Sequence, residues 1–289
     1  MPKKIIALQG IPASGKSARA CELLTEYGNA VRINRDLLRT MLHNNVWSGA
    51  KEDITFASAK AIVKALLSEK NVGVILIDDT NLNPKVLASW KQLAKDCDAD
   101  FEVLRMDTPI DECLRRDAAR AKPVWHHVIV GMAMQWGLYP IPDAGFVICD
   151  IDGTLADITH RRHYVQQEPK DWTAFFEAAW EDRLRLDVEY KLCAHINAGR
   201  EIILVSGRPD TYRLLTEEWL TAHRIKYTTL FMRRAHDHRP DTIVKEEILK
   251  AYFPDKSDIV EAIDDRPSIL RLWESYGIKT VDVGNGEEF

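Results

Sequence analysis

The chain has 289 residues, of which 46% are hydrophobic and 29% charged, a balance typical of globular proteins and long enough for two domains. Residues 1–140 carry 19 Lys and Arg against 16 Asp and Glu, whereas residues 141–289 carry 20 against 28. The small basic excess excludes a strongly basic nucleic-acid-binding protein, and the absence of any run of about 18 apolar residues excludes a typical membrane span.

Residues 1–140 alternate short apolar runs with helical patterns. The apolar runs predict strands over residues 4–9, 30–34, 72–78 and 101–107. The helical patterns lie between them, ending near Tyr27, over 35–43 and 52–70, from Pro84, and over 109–120 and 124–137. Because such apolar strands separated by helices are typical of buried parallel sheets, we expect a sheet covered by helices on both faces.

A glycine-containing loop follows the first predicted strand and precedes the first helix. Residues 10–17 read GIPASGKS, which fits the pattern G-x-x-x-x-G-K-[ST]. Backbone N–H groups of such a loop face a phosphate at the start of the helix, and we expect Gly10, Ser14 and Gly15 to form it. Lys16 would reach the β- and γ-phosphates and Ser17 would bind Mg²⁺. The sequence therefore predicts a site for ATP and Mg²⁺.

Two further motifs favour a kinase over other nucleotide-binding proteins. Asp36 follows the second predicted strand, where it can accept a proton from an attacking hydroxyl group. Arg39 lies three residues further on the same helix face, suited to binding the phosphate of an acceptor. Arg116 and Arg120, four residues apart on a predicted helix, have the arrangement of a lid over ATP. The chain has no Asn-Lys-x-Asp guanine motif, which argues against a GTPase.

A second α/β pattern begins after residues 137–145, which read GLYPIPDAG and are the best candidate for a linker. Strands are predicted over 146–150, 201–206, 229–232, 259–264 and 279–283. Helices are predicted within 171–198 and over 210–223, 242–251 and 267–276. We therefore expect two α/β domains, one over residues 1–140 and one over residues 141–289.

Two carboxylates stand one residue apart in CDIDGT, residues 149–154. Side chains at i and i+2 of a strand point the same way, so Asp150 and Asp152 can converge at the strand end. One carboxylate can attack phosphorus to give an aspartyl-phosphate, and the other can protonate the leaving oxygen. Mg²⁺ is needed because carboxylates repel a phosphate, and Asp264 and Asp265 after another predicted strand complete the predicted metal ligands.

These motifs together resemble the T-even phage type of bifunctional 5′-polynucleotide kinase/3′-phosphatase. The matching stretches occur in the family's order and cover nearly the whole chain: GIPASGKS, INRDLLR, DDTNLNP, RRDAAR, CDIDGTLA, VSGRPD, DTIVKEEI and AIDDR. The resemblance implies an N-terminal P-loop kinase-like domain and a C-terminal haloacid dehalogenase-like, Rossmann-type phosphatase domain. It implies phosphate transfer from ATP to 5′-hydroxyl ends and hydrolysis of 3′-phosphate ends. Whether 2′,3′-cyclic phosphate ends are also hydrolysed stays open.

In the kinase half, the resemblance assigns a role to each polar motif. It makes Asp36 the general base, Arg39 a contact to the acceptor strand, and Arg120 with Arg116 the cations that stabilise the transferring phosphate. Asp79 and Thr80 would line the acceptor site. The chain departs from the family at Ala13, where glycine is usual, and a methyl group is tolerable there if φ is negative.

In the phosphatase half, the resemblance implies a phosphate-binding set beside the acid pair. One member of this set, Arg161, is followed directly by Arg162, so a shift of one residue in the comparison would assign the role to Arg162 instead. The implied positions are Arg161, Ser206, Arg208, Asp241 and Lys245.

The two chemistries belong together if the substrate is a broken RNA or DNA strand, because they make both of its ends ligatable. Sealing would need a separate ligase, since no K-x-D-G motif occurs in the chain. Two other classes stay open: a nucleoside kinase fused to a small-molecule phosphatase, and a P-loop binding module with an inert acid pair. We expect a cytoplasmic protein, located in the host cell if it is phage-encoded, that does not contact a membrane. A homo-oligomer is also possible. Trp47 is one candidate for base stacking.

Overall fold

The computed structural model describes residues 3–287, which form two compact units. The units comprise residues 1–129 and 130–289, so the division lies inside a helix that precedes the predicted linker. Beyond this division, the domain boundary between residues 140 and 141 stays a prediction. Among residues 3–287, every helix is too short or too polar to cross a membrane.

The first unit contains a four-stranded parallel sheet with strand order β2-β3-β1-β4. Its elements are β1 (Lys3–Gln9), α1 (Lys16–Tyr27), β2 (Ala30–Ile33), α2 (Arg35–His43), α3 (Gly49–Ser68), β3 (Val74–Asp78), α4 (Pro84–Asp96), β4 (Ala99–Arg105), α5 (Ile110–Ala118) and the start of α6 (His126–Gln135).

Helices cover both faces of this sheet because its central strand β1 is apolar on both sides. Ile5 and Ala7 pack in a cluster with Trp90 of α4, whereas Ile6 and Leu8 pack in a cluster with residues of α1. Alternate side chains of a strand point to opposite faces, so one short apolar run supports two layers of helices. The loop after β1 is thereby held at the carboxyl edge of the sheet.

The second unit contains a five-stranded parallel sheet with strand order β11-β10-β5-β8-β9 and a separate antiparallel pair, β6 with β7. Its strands are β5 (Phe146–Cys149), β6 (Ala156–Asp157), β7 (Arg183–Leu184), β8 (Glu201–Pro209), β9 (Thr229–Arg233), β10 (Ile259–Asp264) and β11 (Thr280–Asp282). Its helices are α7 (His163–Gln166), α8 (Trp172–Glu177), α9 (Leu186–Asn197), α10 (Arg213–Ala222), α11 (Asp241–Tyr252) and α12 (Pro267–Ser275). Short 3₁₀ turns cover Thr159–Arg161, Ala178–Glu181, Asp210–Tyr212 and Lys256–Asp258.

The α/β prediction is confirmed for both units, including two parallel sheets. The pair of β6 and β7 lies outside the predicted strands, because two-residue strands leave no alternating pattern to read. In both sheets the motif residues follow strands at their carboxyl ends, which is where ligands bind in open α/β sheets.

Candidate functional sites

The loop after β1 holds Lys16 at the first residue of α1. Its ammonium donates hydrogen bonds to the carbonyl oxygens of Gly10 at 2.9 Å and Ile11 at 2.7 Å. Burial lowers the pKa of Lys16 to about 8. Gly15 precedes the helix at φ 95°, and its lack of a side chain leaves the first N–H groups of α1 without a side-chain cap. Such N–H groups and a nearby ammonium suit a bound phosphate.

Ala13 does not meet the condition set for it from the sequence. Its φ is +62°, in the left-handed region, and its side chain is buried. An L-residue pays about 1–2 kcal/mol in this conformation, because its Cβ approaches the following carbonyl oxygen. The methyl group is therefore accommodated with backbone strain rather than at a negative φ.

We expect Ala13→Gly to raise the free energy of unfolding of the first unit by up to about 1 kcal/mol. Glycine removes the left-handed strain but gives up one buried methyl group and some chain entropy. The matched change Ala18→Gly, at an exposed position inside α1, should instead lower it by about 1 kcal/mol. Urea unfolding followed by hydrogen exchange in residues 3–129 would measure both, and a loss for Ala13→Gly as large as that for Ala18→Gly would contradict the strain.

Asp36 and Arg39 lie on one face of α2, as predicted. The guanidinium of Arg39 donates to the Asp36 carboxylate at 2.7 Å and also pairs with Glu52 of α3. The Asp36 side chain is 78% exposed, so its second oxygen is open to solvent. An exposed carboxylate with an adjacent guanidinium can meet a hydroxyl group and the phosphate next to it.

Asp79 and Thr80 follow β3 beside the same loop. The carbonyl oxygen of Thr80 accepts a hydrogen bond from the N–H of Gly10 at 3.0 Å, which fixes the start of the loop. The carboxylate of Asp79 accepts from the backbone N–H and from Nε of Arg35, at 2.9 and 2.6 Å. Burial raises the pKa of Asp79, and this pair with Arg35 partly offsets the effect. The strand β3 thus brings the predicted acceptor residues to the P-loop.

Arg116 and Arg120 do not share a helix face, because α5 ends at Ala118. Arg116 lies within α5, pairs with Glu112 at 2.6 Å, and has its guanidinium beside Gly15. Arg120 lies in the loop that follows, where its charge helps to lower the pKa of Lys16. Both cations are therefore close to the P-loop, although the expected lid geometry of one continuous helix is wrong.

A buried carboxylate missed by sequence reasoning organises the loop that carries Arg120. Asp117 accepts hydrogen bonds from the backbone N–H groups of Val124 and Trp125 at 2.9 and 3.0 Å. It also lies 3.4 Å from the guanidinium of Arg120. Asp117 lies inside the motif RRDAAR beside arginines that can bind phosphate, but its own role depends on contacts with Val124 and Trp125, which lie outside that motif.

Three carboxylates converge at the carboxyl edge of the second sheet. Asp150 follows β5, while Asp264 ends β10 and Asp265 follows it, and one oxygen from each lies within 4.8 Å of the others. The ammonium of Lys245 donates to Asp150 and Asp264, at 2.8 Å each. Burial, together with the negative charge of Asp150, raises the pKa of Asp264 and of Asp265.

This group of carboxylates fits a divalent cation. One lysine cannot balance three buried carboxylates, and the Oδ2 atom of Asp150 is buried without a hydrogen-bond partner. Carboxylate oxygens at this spacing are the ligands that Mg²⁺ prefers. Asp150, Asp264 and Asp265 are therefore the residues that would hold the ion.

The carboxylate of Asp152 lies outside this group, contrary to its predicted place among the metal ligands. It pairs instead with Arg161 at 2.5 Å and Arg208 at 2.6 Å. Burial raises its pKa, but the two guanidinium groups outweigh burial and hold the pKa well below its usual value. The strand ends at Cys149, so the alternation of a strand no longer governs where Asp152 points.

Arg161, rather than its neighbour Arg162, belongs to this site. Arg161 is fully buried and also donates to Asp182 at 2.6 and 2.5 Å, whereas Arg162 is half-buried and pairs with Glu287 at 3.2 Å. Asp182 is buried and also contacts His160 at 2.9 Å. Sequence reasoning missed Asp182, since it lies just before the two-residue strand β7 in no recognisable motif.

The remaining predicted residues surround the same point. Ser206 places Oγ 3.5 Å from the Asp152 carboxylate and accepts the backbone N–H of Arg208 at 3.1 Å. Asp241, at the start of α11, pairs with Arg233 and Arg266 and lies 3.7 Å from the Lys245 ammonium. Four motifs from separate strands and helices, together with Arg161, thus meet at one site.

Gly153 is required where the chain turns after the acid pair. Its φ is +86°, and a methyl group on it would overlap the carboxylate of Asp265. The turn can therefore bring Asp152 past Asp265 only with glycine at this position.

These residues border a cleft of about 460 Å³, whose lining includes Asp150 and Asp152. Its walls differ in character. The aromatic wall contains Trp172, Phe176 and Tyr212, and the rest of the lining includes Arg233, His238, Arg239 and Arg266 together with Asp237 and Asp241.

Both units match known protein families. Residues 144–288 match the model described as the polynucleotide kinase PNKP phosphatase domain, and residues 5–134 match the model of an AAA domain. The first of these matches covers half of the chain.

Individual proteins also resemble the chain. A protein of Autographa californica nuclear polyhedrosis virus named "Putative bifunctional polynucleotide kinase/RNA ligase" is 27% identical over 310 residues, which cover 96% of this chain and 42% of that protein. An L-seryl-tRNA(Sec) kinase of Methanococcus maripaludis is 25% identical over 132 residues, 44% of this chain and 50% of the relative. The chain thus spans about half the length of these curated relatives, or less.

Among solved structures, a chain of the Pnkp1/Rnl/Hen1 RNA repair complex is 27% identical. The match covers 99% of this chain and 97% of that one, with a TM-score of 0.43.

Proposed function

This chain belongs to the polynucleotide kinase PNKP phosphatase-domain family, and from that premise we propose that it heals broken nucleic acid ends. It transfers the γ-phosphate of ATP to 5′-hydroxyl ends and hydrolyses 3′-phosphate ends. The observation that carries the proposal is the presence, in one chain, of a P-loop with an exposed acceptor-side carboxylate and of a buried acid cluster in the family's phosphatase domain.

In the phosphatase unit, Asp150 is the nucleophile that attacks phosphorus, and its place after β5 in the lining of the cleft supports this role. Mg²⁺ held by Asp150, Asp264 and Asp265 would offset the repulsion between these carboxylates and the phosphate. Arg208 and Ser206 bind the phosphate oxygens, and Lys245 keeps Asp150 oriented.

Asp152 transfers the proton in this reaction, although its pKa is low in the structure. Arg161 and Arg208 are the cause of that low pKa. A phosphate dianion that draws these guanidinium groups to itself would weaken their pairing with Asp152 and raise its pKa. Asp152 could then protonate the leaving 3′-oxygen and afterwards take a proton from water. Asp182 positions Arg161 throughout by accepting two of its hydrogen bonds.

In the kinase unit, Lys16 and the N–H groups of the loop bind the ATP phosphates, and Ser17 would bind the accompanying Mg²⁺. Asp36 accepts the proton of the 5′-hydroxyl group, and Arg39 binds a phosphate of the acceptor strand. Arg116 and Arg120 approach the transferring phosphate from the segment after β4, and Asp79 and Thr80 line the acceptor side.

One oligonucleotide tests both activities at once. It carries a 5′-hydroxyl and a 3′-phosphate and is incubated with ATP and Mg²⁺. It is then cut internally, and its 5′ and 3′ fragments are weighed separately, because the two changes cancel in the mass of the intact strand. We expect each molecule to gain a phosphate at the 5′ end and lose one at the 3′ end. Unchanged oligonucleotide, together with phosphorylation of free nucleosides, would favour a small-molecule kinase fused to a small-molecule phosphatase.

The ends so produced require a strand-sealing partner. The baculovirus relative carries polynucleotide kinase and RNA ligase in its name, which supports RNA as one substrate and a ligase as the functional partner here. The proposal includes DNA ends as a second substrate class and places the reaction in the cytoplasm. It holds for a monomer and for a homo-oligomer alike.

A further inference from the structure

The aromatic wall of the phosphatase cleft is built from three rings in contact. Trp172 and Phe176 stack with their centroids 5.9 Å apart and their planes at 24°. Phe176 then meets Tyr212 at 5.2 Å and 38°. The three rings line the same cleft as Asp150 and Asp152, so they are part of the space that a substrate enters.

Helix α8 carries Trp172 and Phe176 toward the cleft, and a different ring on the same helix, Phe175, anchors it inside. Phe175 is buried and packs its ring against the guanidinium of Arg161, with 4.1 Å from the guanidinium carbon to the ring centroid. Trp172 and Phe176 are four residues apart and share another face of the helix. Trp172 is 46% exposed, which leaves a large part of an indole ring in contact with solvent at the mouth of the site.

The lining of the cleft also contains basic side chains, which pair with carboxylates. Arg233 and Arg239 lie in this lining with His238, and Arg239 is about half exposed although it pairs with Asp237 and Glu247. A ligand that places a phosphate at the carboxylate cluster, a flat ring on the aromatic wall and further negative charge near the half-exposed Arg239 has the chemistry of a nucleotide chain.

We propose that Trp172, supported by Phe176 and Tyr212, stacks on the base of the terminal nucleotide that carries the 3′-phosphate. The inference rests on the proposed 3′-phosphatase function and adds its substrate-binding subsite. Stacking requires a flat ring but no particular base, so this subsite selects nucleotides over other phosphate esters without reading their sequence.

Trp172→Ala tests the subsite when it is assayed on two oligonucleotides that differ only at the 3′-phosphate terminus. One ends in a normal nucleotide and the other in an abasic residue. We expect kcat/KM for the base-bearing end to fall by about 5- to 150-fold, mainly through KM, because stacking is worth that factor per base. Activity on the abasic end should change less than about twofold, since that end has no ring to lose.

Two further variants separate stacking from a folding defect. Trp172→Phe keeps a flat ring and should retain most of the preference for the base-bearing end. Trp180→Ala removes another exposed tryptophan of the same unit that lies outside the cleft lining, and should leave both substrates unaffected.

The outcomes distinguish the subsite from the function beneath it. Equal losses on both ends in Trp172→Ala, or no loss on either, would overturn the subsite while the 3′-phosphatase function stands. If the unsubstituted protein leaves both oligonucleotides intact but hydrolyses a small phosphate ester, the proposed function is wrong and the subsite with it.

Discussion

Asp150→Asn is expected to lower phosphate release from 3′-phosphate ends by at least about 1,000-fold, because an amide cannot serve as the nucleophile. Phosphorylation of 5′-hydroxyl ends should stay within about twofold of the unsubstituted protein, since the P-loop belongs to the other unit. Both reactions can be followed in one tube from the separate masses of the 5′ and 3′ fragments of an oligonucleotide that carries both ends.

The same substitution should not lower the thermal midpoint of the second unit. Asp150 contributes to the raised pKa of Asp264 and Asp265, which shows that its charge is unfavourable to both. Removing that charge relieves repulsion, whereas Lys245 keeps its contact with Asp264. Stability gained at the expense of activity is typical of a site where like charges are held together for catalysis.

Asp143→Asn provides the matched control, because this exposed aspartate precedes β5 in the same unit. It should leave both reactions and the thermal midpoint unchanged. Loss of both reactions in folded Asp150→Asn protein, or retention of 3′-phosphate release, would contradict the assignment of Asp150 as nucleophile.

The strands that end in catalytic motifs could be predicted from the sequence. The apolar run before Asp150 and the one that ends in Asp264 each predict a buried parallel strand, and a parallel sheet brings their carboxyl ends to one edge. The loop of residues 10–17 was predictable for the same reason, because a strand and a helix flank it. Local pattern and global fold agree at these positions.

The parts that the sequence could not predict depend on contacts between distant residues. Asp182 acts through Arg161, and nothing in its local sequence distinguishes it from an ordinary surface acid. Trp172 is one of eight tryptophans, and its place in the cleft depends on the packing of α8, in which Phe175 contacts Arg161. From the sequence alone, Trp47 was an equally reasonable candidate for base stacking.

Backbone geometry accounts for the other differences. Ala13 adopts a positive φ because the P-loop imposes it, and propensity alone predicts the opposite for alanine. Arg120 leaves the helix since α5 ends two residues earlier, where Asp117 accepts N–H groups of the following loop. Asp152 turns away from the metal group because β5 has already ended.

Lys16→Ala is expected to lower 5′ phosphorylation by at least about 1,000-fold and to leave 3′-phosphate release within about twofold. The ammonium is the cation held inside the loop that would contact the transferring phosphate, and such contacts act mainly in the transition state. Lys64→Ala, at an exposed lysine of α3 in the same unit, should change neither reaction. Equal loss of both reactions in folded Lys16→Ala protein would contradict separate sites.

Proton uptake on ATP binding tests why Lys16→Ala loses 5′ phosphorylation. Because burial lowers the pKa of Lys16 to about 8, Lys16 is neutral in most protein molecules at pH 8.5. Bound phosphates favour its charged form. ATP binding should therefore take up a proton at pH 8.5 and weaken as pH rises above 8, whereas at pH 6.5 Lys16 is already charged. Calorimetry in two buffers of different ionisation enthalpy measures this uptake directly. In Lys16→Ala the uptake should vanish together with catalysis, and its persistence there would mean that another group carries the proton.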